Sequence, residues 1–266
     1  MKKAVSIFVS ASILALVFVN IATAGTVMDR ILKRGELIVG TTANQPPLIA
    51  KTKAGKIIGL DADLAYAMAG NMGVRMKLVP MPFSSLLPAL EAGKVDMVLS
   101  GMTMTAKRNT KVAFVGPYFA SGKGILTNKK NVAELQDAEG LNRAKYRVAV
   151  LRGSTSEAFV KKSSPLAKLV PTQSYDEAIN QLLQDKVDAL VADFPACSVW
   201  AFRHSEKGLV AGGNRLTFEP LGIALPEDTL LINWVQNFMI MLKGTGTLEK
   251  LTKKWFENAG WVSELP

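Results

Sequence analysis

The stretch Val95-Asp96-Met97-Val98-Leu99-Ser100-Gly101-Met102-Thr103-Met104-Thr105-Ala106-Lys107-Arg108 decides the fold. Val95 to Leu99, apolar except at Asp96, has strand character, and Thr105 opens a turn of helix. The polar loop Ser100 to Met104 therefore leaves the carboxyl end of a strand. In open α/β sheets that is where ligands collect.

Upstream of this stretch, Leu37 to Thr41 reads as a strand. Leu60, Leu64, Met68 and Met72 then repeat every four residues as the buried face of a helix after Asp61, and Val74 to Val79 alternates as a strand. A short helix carries Leu86, Leu87 and Leu90. Downstream, Arg147 to Leu151 opens a second series. Ser174-Tyr175-Asp176-Glu177 gives a capping-box start to a helix with Ala178, Ile179, Leu182 and Leu183, and Val187 to Ala192 follows as a strand. The carboxyl end carries a stripe of Leu231, Trp234, Val235, Phe238 and Leu242, a break at Gly244 and Gly246, and a last helix near Leu248 to Phe256. Strands alternating with helices predict α/β layers with mostly parallel strands.

Composition narrows the function classes. The chain has 266 residues, 48% hydrophobic and 20% charged, which is globular. Lys2 and Lys3, the apolar run Ala4 to Val19 and the small residues Ala22-Thr23-Ala24 read as a signal peptide cleaved near Ala24; an uncleaved anchor is the alternative. No cysteine near that point suggests a lipid, and no later segment has the ~20 apolar residues of a membrane helix. Cys197 is the only cysteine, so no intramolecular disulfide forms. The balance of 32 basic to 22 acidic residues gives +10, and +8 without Lys2 and Lys3. The charge is spread in pairs such as Lys129-Lys130 and Lys253-Lys254, unlike a nucleic-acid groove, so no nucleic-acid partner is expected.

His204 is the only histidine and sits in a polar stretch that reads as surface. With one cysteine beside it, the chain lacks the ligands of a common zinc site and offers a serine triad a single candidate base. No Walker loop is present, and Gly244-Thr245-Gly246 lacks the third glycine of a dinucleotide fingerprint. No cofactor, metal or catalytic residue is expected.

Several segments carry a resemblance in order and spacing. They are Gly59-Leu60-Asp61-Ala62-Asp63-Leu64, Leu87 through Asp96, Ser100 through Arg108, Gly116-Pro117-Tyr118-Phe119, Arg152-Gly153-Ser154-Thr155, Lys186 through Asp193, and Gly246-Thr247-Leu248 with Lys254-Trp255-Phe256. In these the chain resembles the polar amino-acid-binding solute receptors of bacterial ABC transporters, the extracellular solute-binding protein family 3.

The resemblance implies a two-lobed periplasmic-binding-protein type II fold, with mixed sheets flanked by helices and a two-strand hinge. Residues 25–121 plus 221–266 would form lobe 1 and residues 122–220 lobe 2. It further implies a monomer that binds a small α-amino acid and delivers it to a membrane permease in the periplasm. An enzyme of dehydratase type on the same scaffold and a sensory binding protein are the alternatives.

A zwitterion taken out of water needs a cation for its carboxylate and an anion for its ammonium. By resemblance Arg108 grips the carboxylate, where a planar guanidinium suits a bidentate hold. Asp193 receives the ammonium, though an N-cap ahead of Pro195 would explain the same residue. Thr103 adds a hydroxyl and Gly101 a close backbone approach, unless both are an ordinary polar turn. Ser154 and Thr155 open a helix after a strand and can meet the carboxylate, cap the helix, or both. Phe83 matches the position packing on the ligand's side chain, and Thr42 and Gln45 line the first strand exit. Many relatives carry an aromatic residue at Gln45 and some an acid at Thr42, so a cationic side chain is disfavoured here. Asp61 and Asp63 are expected to cap the helix they open.

Overall fold

A computed structural model describes residues 26–266, so the segment Met1–Ala24 expected to be a signal peptide lies outside the described residues. Helix α1 (Val27–Arg34) is closed by Gly35 at φ 66°. Strand β1 (Glu36–Thr41) leads into a small antiparallel sheet of β2 (Asn44–Gln45), β3 (Ile49–Lys51) and β4 (Ile57–Ile58). Then come α2 (Leu60–Met72), β5 (Arg75–Pro80), α3 (Phe83–Glu91), β6 (Met97–Val98), α4 (Ala106–Asn109) and β7 (Ala113–Ser121). At Gly122 the chain crosses into a second lobe of β8 (Lys123–Asn128), α5 (Ala138–Leu141), β9 (Arg147–Leu151), α6 (Thr155–Ser163), β10 (Lys168–Thr172), α7 (Tyr175–Leu183), β11 (Ala189–Asp193), α8 (Phe194–Arg203) and β12 (Leu209–Gly212). It returns through β13 (Glu219–Leu225) and ends in α9 (Thr229–Gly244) and α10 (Thr247–Phe256).

Each lobe is built on a five-stranded mixed sheet, ordered β5-β1-β6-β13-β7 in the first and β10-β9-β11-β8-β12 in the second. β1 runs parallel to β5 and β6, and β9 parallel to β10 and β11. β13 and β8 are the antiparallel members. The fold is thus the α/β, two-lobed architecture expected, and Ser121 paired with Glu219 marks where both crossing segments leave the first sheet.

The same device anchors the centre of each sheet. Asp96 bonds back to β1, its carboxylate accepting the Ile38 N–H at 2.8 Å while its own N–H donates to the Ile38 carbonyl at 2.8 Å. Asp188 repeats this with Arg147 on β9, at 2.8 Å in both directions. Arg34 and Arg147 supply the respective counter-charges. Partial burial raises the Asp188 pKa, but the Arg147 guanidinium and N–H outweigh it and hold the carboxyl below its ordinary value.

The α2 stripe is buried as expected at Leu60, Leu64 and Met68. Its capping is not as expected. Gly59, at φ 130°, is the N-cap, and a Cβ there would lie 2.3 Å from the Leu48 carbonyl oxygen, so this close approach needs glycine. The first-turn N–H groups of Leu60 and Asp61 donate to the carbonyls of Pro47 and Leu48 at 3.2 and 2.8 Å. With those donors satisfied by backbone, Asp61 and Asp63 are released from capping. Asp63 instead accepts from the Lys254 ammonium and the Trp255 indole, and Asp61 turns inward.

Candidate functional site

Arg108 belongs to the four-residue helix α4, whose start is fixed by the Thr105 hydroxyl accepting the Arg108 N–H at 3.2 Å. This short turn aims the guanidinium across the junction between the lobes. It donates to the Thr103 carbonyl at 2.8 Å in the first lobe and to the Gly153 carbonyl at 3.1 Å in the second, and it lies 5.4 Å from the Phe83 ring centroid. Burial holds the guanidinium below its ordinary pKa, opposed by the carboxylates of Glu219 and Asp193. Both hydrogen bonds go to neutral carbonyls, so the positive charge stays available to an anion.

Asp193 ends β11 and holds the N-cap position of α8, yet its side chain makes no capping bond. One carboxylate oxygen accepts from the Gln45 amide at 2.7 Å, across the cleft, and the other from the Lys123 ammonium at 2.8 Å. Lys123 also lies 3.6 Å from Glu219. Lysine side chains are rarely buried without a partner, and this one is only 3% exposed. Beneath this cluster, burial pushes the Cys197 thiol up to about 12, leaving it an inert packing group.

The remaining expected residues gather around the same junction. The Thr103 hydroxyl meets the Thr155 hydroxyl at 3.3 Å across the cleft. Ser154 caps α6 by accepting the Glu157 N–H at 3.2 Å, so capping accounts for its hydroxyl. Gly101 is at φ 57°, and a Cβ there would come within 2.9 Å of both Gln45 and Leu48. The Thr42 hydroxyl lies 3.0 Å from that of Ser100. Thr42 lines a cavity of about 470 Å³ at the cleft mouth together with Asn44, Asp176, Trp200, Arg203 and His204. His204, expected at the surface, closes α8 and is half-buried, which holds its pKa below the ordinary value.

Asp61 supports the loop from below, its carboxylate accepting the Gly101 N–H at 2.7 Å. Burial raises its pKa from 3.8 to about 7; the Gly101 bond and the neighbouring Tyr118 phenol pull the other way but are outweighed. A carboxyl whose pKa is raised on folding binds more protons folded than unfolded. Its stabilising contribution is full below pH 3.8 and is lost as pH rises through about 7. The Asp61 contribution to stability should therefore fall between pH 5 and pH 8, while His204, whose folded pKa is lowered, acts in the opposite sense. Asp61→Asn, which keeps an acceptor for Gly101, should flatten that slope. Urea unfolding at the two pH values measures it, and an unchanged slope would place the titration elsewhere.

Three participants were not anticipated from sequence: Lys123, Glu219 and Tyr175. Tyr175 is fully buried, and burial together with Asp193 raises its phenol well above the ordinary value. The Lys123 signal is the sequence Gly122-Lys123-Gly124 directly before an apolar strand, where a surface lysine would be a poor fit.

Residues 37–258 match the bacterial extracellular solute-binding proteins, family 3. ABC transporter arginine-binding protein 1 of Escherichia coli is 27% identical, over 82% of this chain and 89% of its own length. Cyclohexadienyl dehydratase of Pseudomonas aeruginosa is 24% identical over 86% of both chains. The crystal structure of an ancestral amino acid-binding protein, a precursor of cyclohexadienyl dehydratase, superposes with a TM-score of 0.79 at 40% identity, covering 86% of this chain and 99% of its own. With a family match spanning nearly all of the described chain and a fold to accompany it, this chain belongs to the bacterial extracellular solute-binding proteins, family 3.

Proposed function

We propose that this chain is the periplasmic substrate-binding component of an amino-acid ABC transporter, holding a small α-amino acid in the interlobe cleft and closing about its two crossing segments. The observation that carries the reading is the placement of Arg108. Its guanidinium is part-buried at the lobe junction, bonded to a carbonyl from each side, and carries a charge that those bonds leave unneutralised. A ligand carboxylate there would gain a charge-assisted bond and reinforce closure, because it favours the state in which both lobes meet. Asp193, on the opposite wall, is the acid for the ammonium, with Thr103 and Thr155 as flanking hydroxyls.

In this reading residues 25–121 and 221–266 form lobe 1 and residues 122–220 lobe 2. The leader is removed near Ala24, and the closed shape is what a membrane permease recognises. No helix among the described residues is long and apolar enough to cross a membrane. The acids around the cleft favour binding over catalysis. Asp193 and Glu219 are both bound to Lys123, and Asp61 lies behind Gly101, so none of these three faces the cleft as a free proton donor, and among the described residues only Asp176 is left at the cavity mouth.

The test is a thermal-shift screen of mature protein, unfolded and refolded to remove carried ligand, against the common amino acids and their 2-oxo counterparts. A ligand bound at 100 times its Kd stabilises by about 2.7 kcal/mol. A rise in Tm with one amino-acid class supports the reading. No rise with any amino acid, or consumption of a 2-oxo or prephenate-like acid, would overturn it.

A further inference from the structure

The Lys123 ammonium occupies one oxygen of the carboxylate that the proposed function assigns to the ligand's ammonium. It lies 2.8 Å from Asp193 and 3.6 Å from Glu219, with all three side chains at most 10% exposed. The other Asp193 oxygen is taken by Gln45. An incoming ammonium must share Asp193 with a buried like charge, which is costly at this depth.

Glu219 resolves the conflict. One ammonium between two carboxylates leaves the cluster with one net negative charge, and Arg108 elsewhere in the cleft carries one positive charge. The cleft is therefore neutral but polarised, which suits a zwitterion, provided Lys123 has a second carboxylate to move to. Glu219 is placed for this. Its far oxygen is steadied by the Thr217 hydroxyl at 3.1 Å, and the same hydroxyl accepts the Lys123 N–H at 3.0 Å. Lys123 opens β8 at the first crossing and Glu219 opens β13 at the second.

Resting on the amino-acid reading above, we infer that Lys123 is a transferable cation, passing from Asp193 to Glu219 when a ligand ammonium docks. Glu219 is then a specificity residue that lets the cleft accept α-amino acids over the same carboxylates lacking an ammonium. Both groups sit at the crossings, so the transfer also ties ligand arrival to the hinge.

Isothermal titration of wild type, Glu219→Gln and the double variant Lys123→Met/Glu219→Gln tests this, with the common amino acids and their 2-oxo counterparts as probes. Glu219→Gln should lose about tenfold or more in amino-acid affinity and leave 2-oxo acid affinity within about twofold, because Lys123 then has only Asp193. The double variant removes the competing cation along with its alternative partner and should restore amino-acid binding to the wild-type level or tighter. Equal loss for both ligand classes in Glu219→Gln, or no loss, overturns the inference while the amino-acid reading stands. Should Glu219→Gln fail to fold, the double variant decides alone: amino-acid binding about tenfold weaker than wild type overturns the transfer. A wild-type protein that binds no amino acid overturns both readings together.

Discussion

Arg108→Ala is expected to weaken amino-acid binding by about 2–5 kcal/mol, the range for truncating one partner of a buried, hydrogen-bonded charge pair. Two effects add. The ligand carboxylate loses its cation in a part-buried site, and the carbonyls of Thr103 and Gly153 lose a shared donor that spans the junction. The second effect should loosen the junction between the lobes even before ligand arrives. Arg108→Lys should recover only part of the loss, because a single ammonium on a flexible stem cannot reproduce two directed bonds and the contact with the Phe83 ring. Isothermal titration with the amino acid giving the largest thermal shift measures both variants. Affinity unchanged within about twofold in Arg108→Ala would remove the carboxylate role.

The placement of Arg108 in a turn after a strand was legible because its setting is local. The strand, polar loop and helical turn from Val95 to Arg108 follow from apolar spacing and a threonine cap, and β6 and α4 form there. β6 is shorter than the apolar run, yet the Asp96 and Leu99 N–H groups continue its bonding to Ile38 and Gly40 on either side. The β11 strand was likewise readable, although it begins at Ala189 and includes Asp193. The Val187 side chain is buried ahead of it. Lys-Val-Asp occurs at both Lys94 to Asp96 and Lys186 to Asp188, and in the structure its purpose is architectural, tying each central strand to its neighbour.

What stayed hidden depends on partners distant in the chain. Lys123 meets Asp193 across 70 residues, and nothing in its own neighbourhood announces an acid. The capping expectation for Asp61 failed for the same reason. A carboxylate in the first turn normally serves the helix's free N–H groups, but here the backbone of Pro47 and Leu48 reaches them first. Asp61 then meets Gly101, 40 residues on. The opposite outcome at Asp193, which has the N-cap position but no capping bond, shows that position alone does not decide where a carboxylate bonds.

Asp193→Ala should cost about 3 kcal/mol of stability as well as amino-acid binding, toward the low end for breaking a buried ion pair. Removing the carboxylate strands the Gln45 amide and leaves Lys123 at 3% exposure with only the more distant Glu219. Glu219 keeps the cost from reaching the upper end, because the ammonium retains one counter-charge. For a chain of this size the loss corresponds to a Tm fall of roughly 6–12 °C. Asp193→Asn separates charge from shape: it preserves the side-chain volume and an acceptor, so it should lose less stability while still losing binding. The decisive comparison is Asp193→Ala in a Lys123→Met background. If the penalty is the stranded ammonium, most of it disappears there, because an apolar side chain has no charge to desolvate. A penalty of the same size in both backgrounds would assign it to the Gln45 contact and the lost packing instead, and would show that Lys123 finds adequate compensation from Glu219 alone.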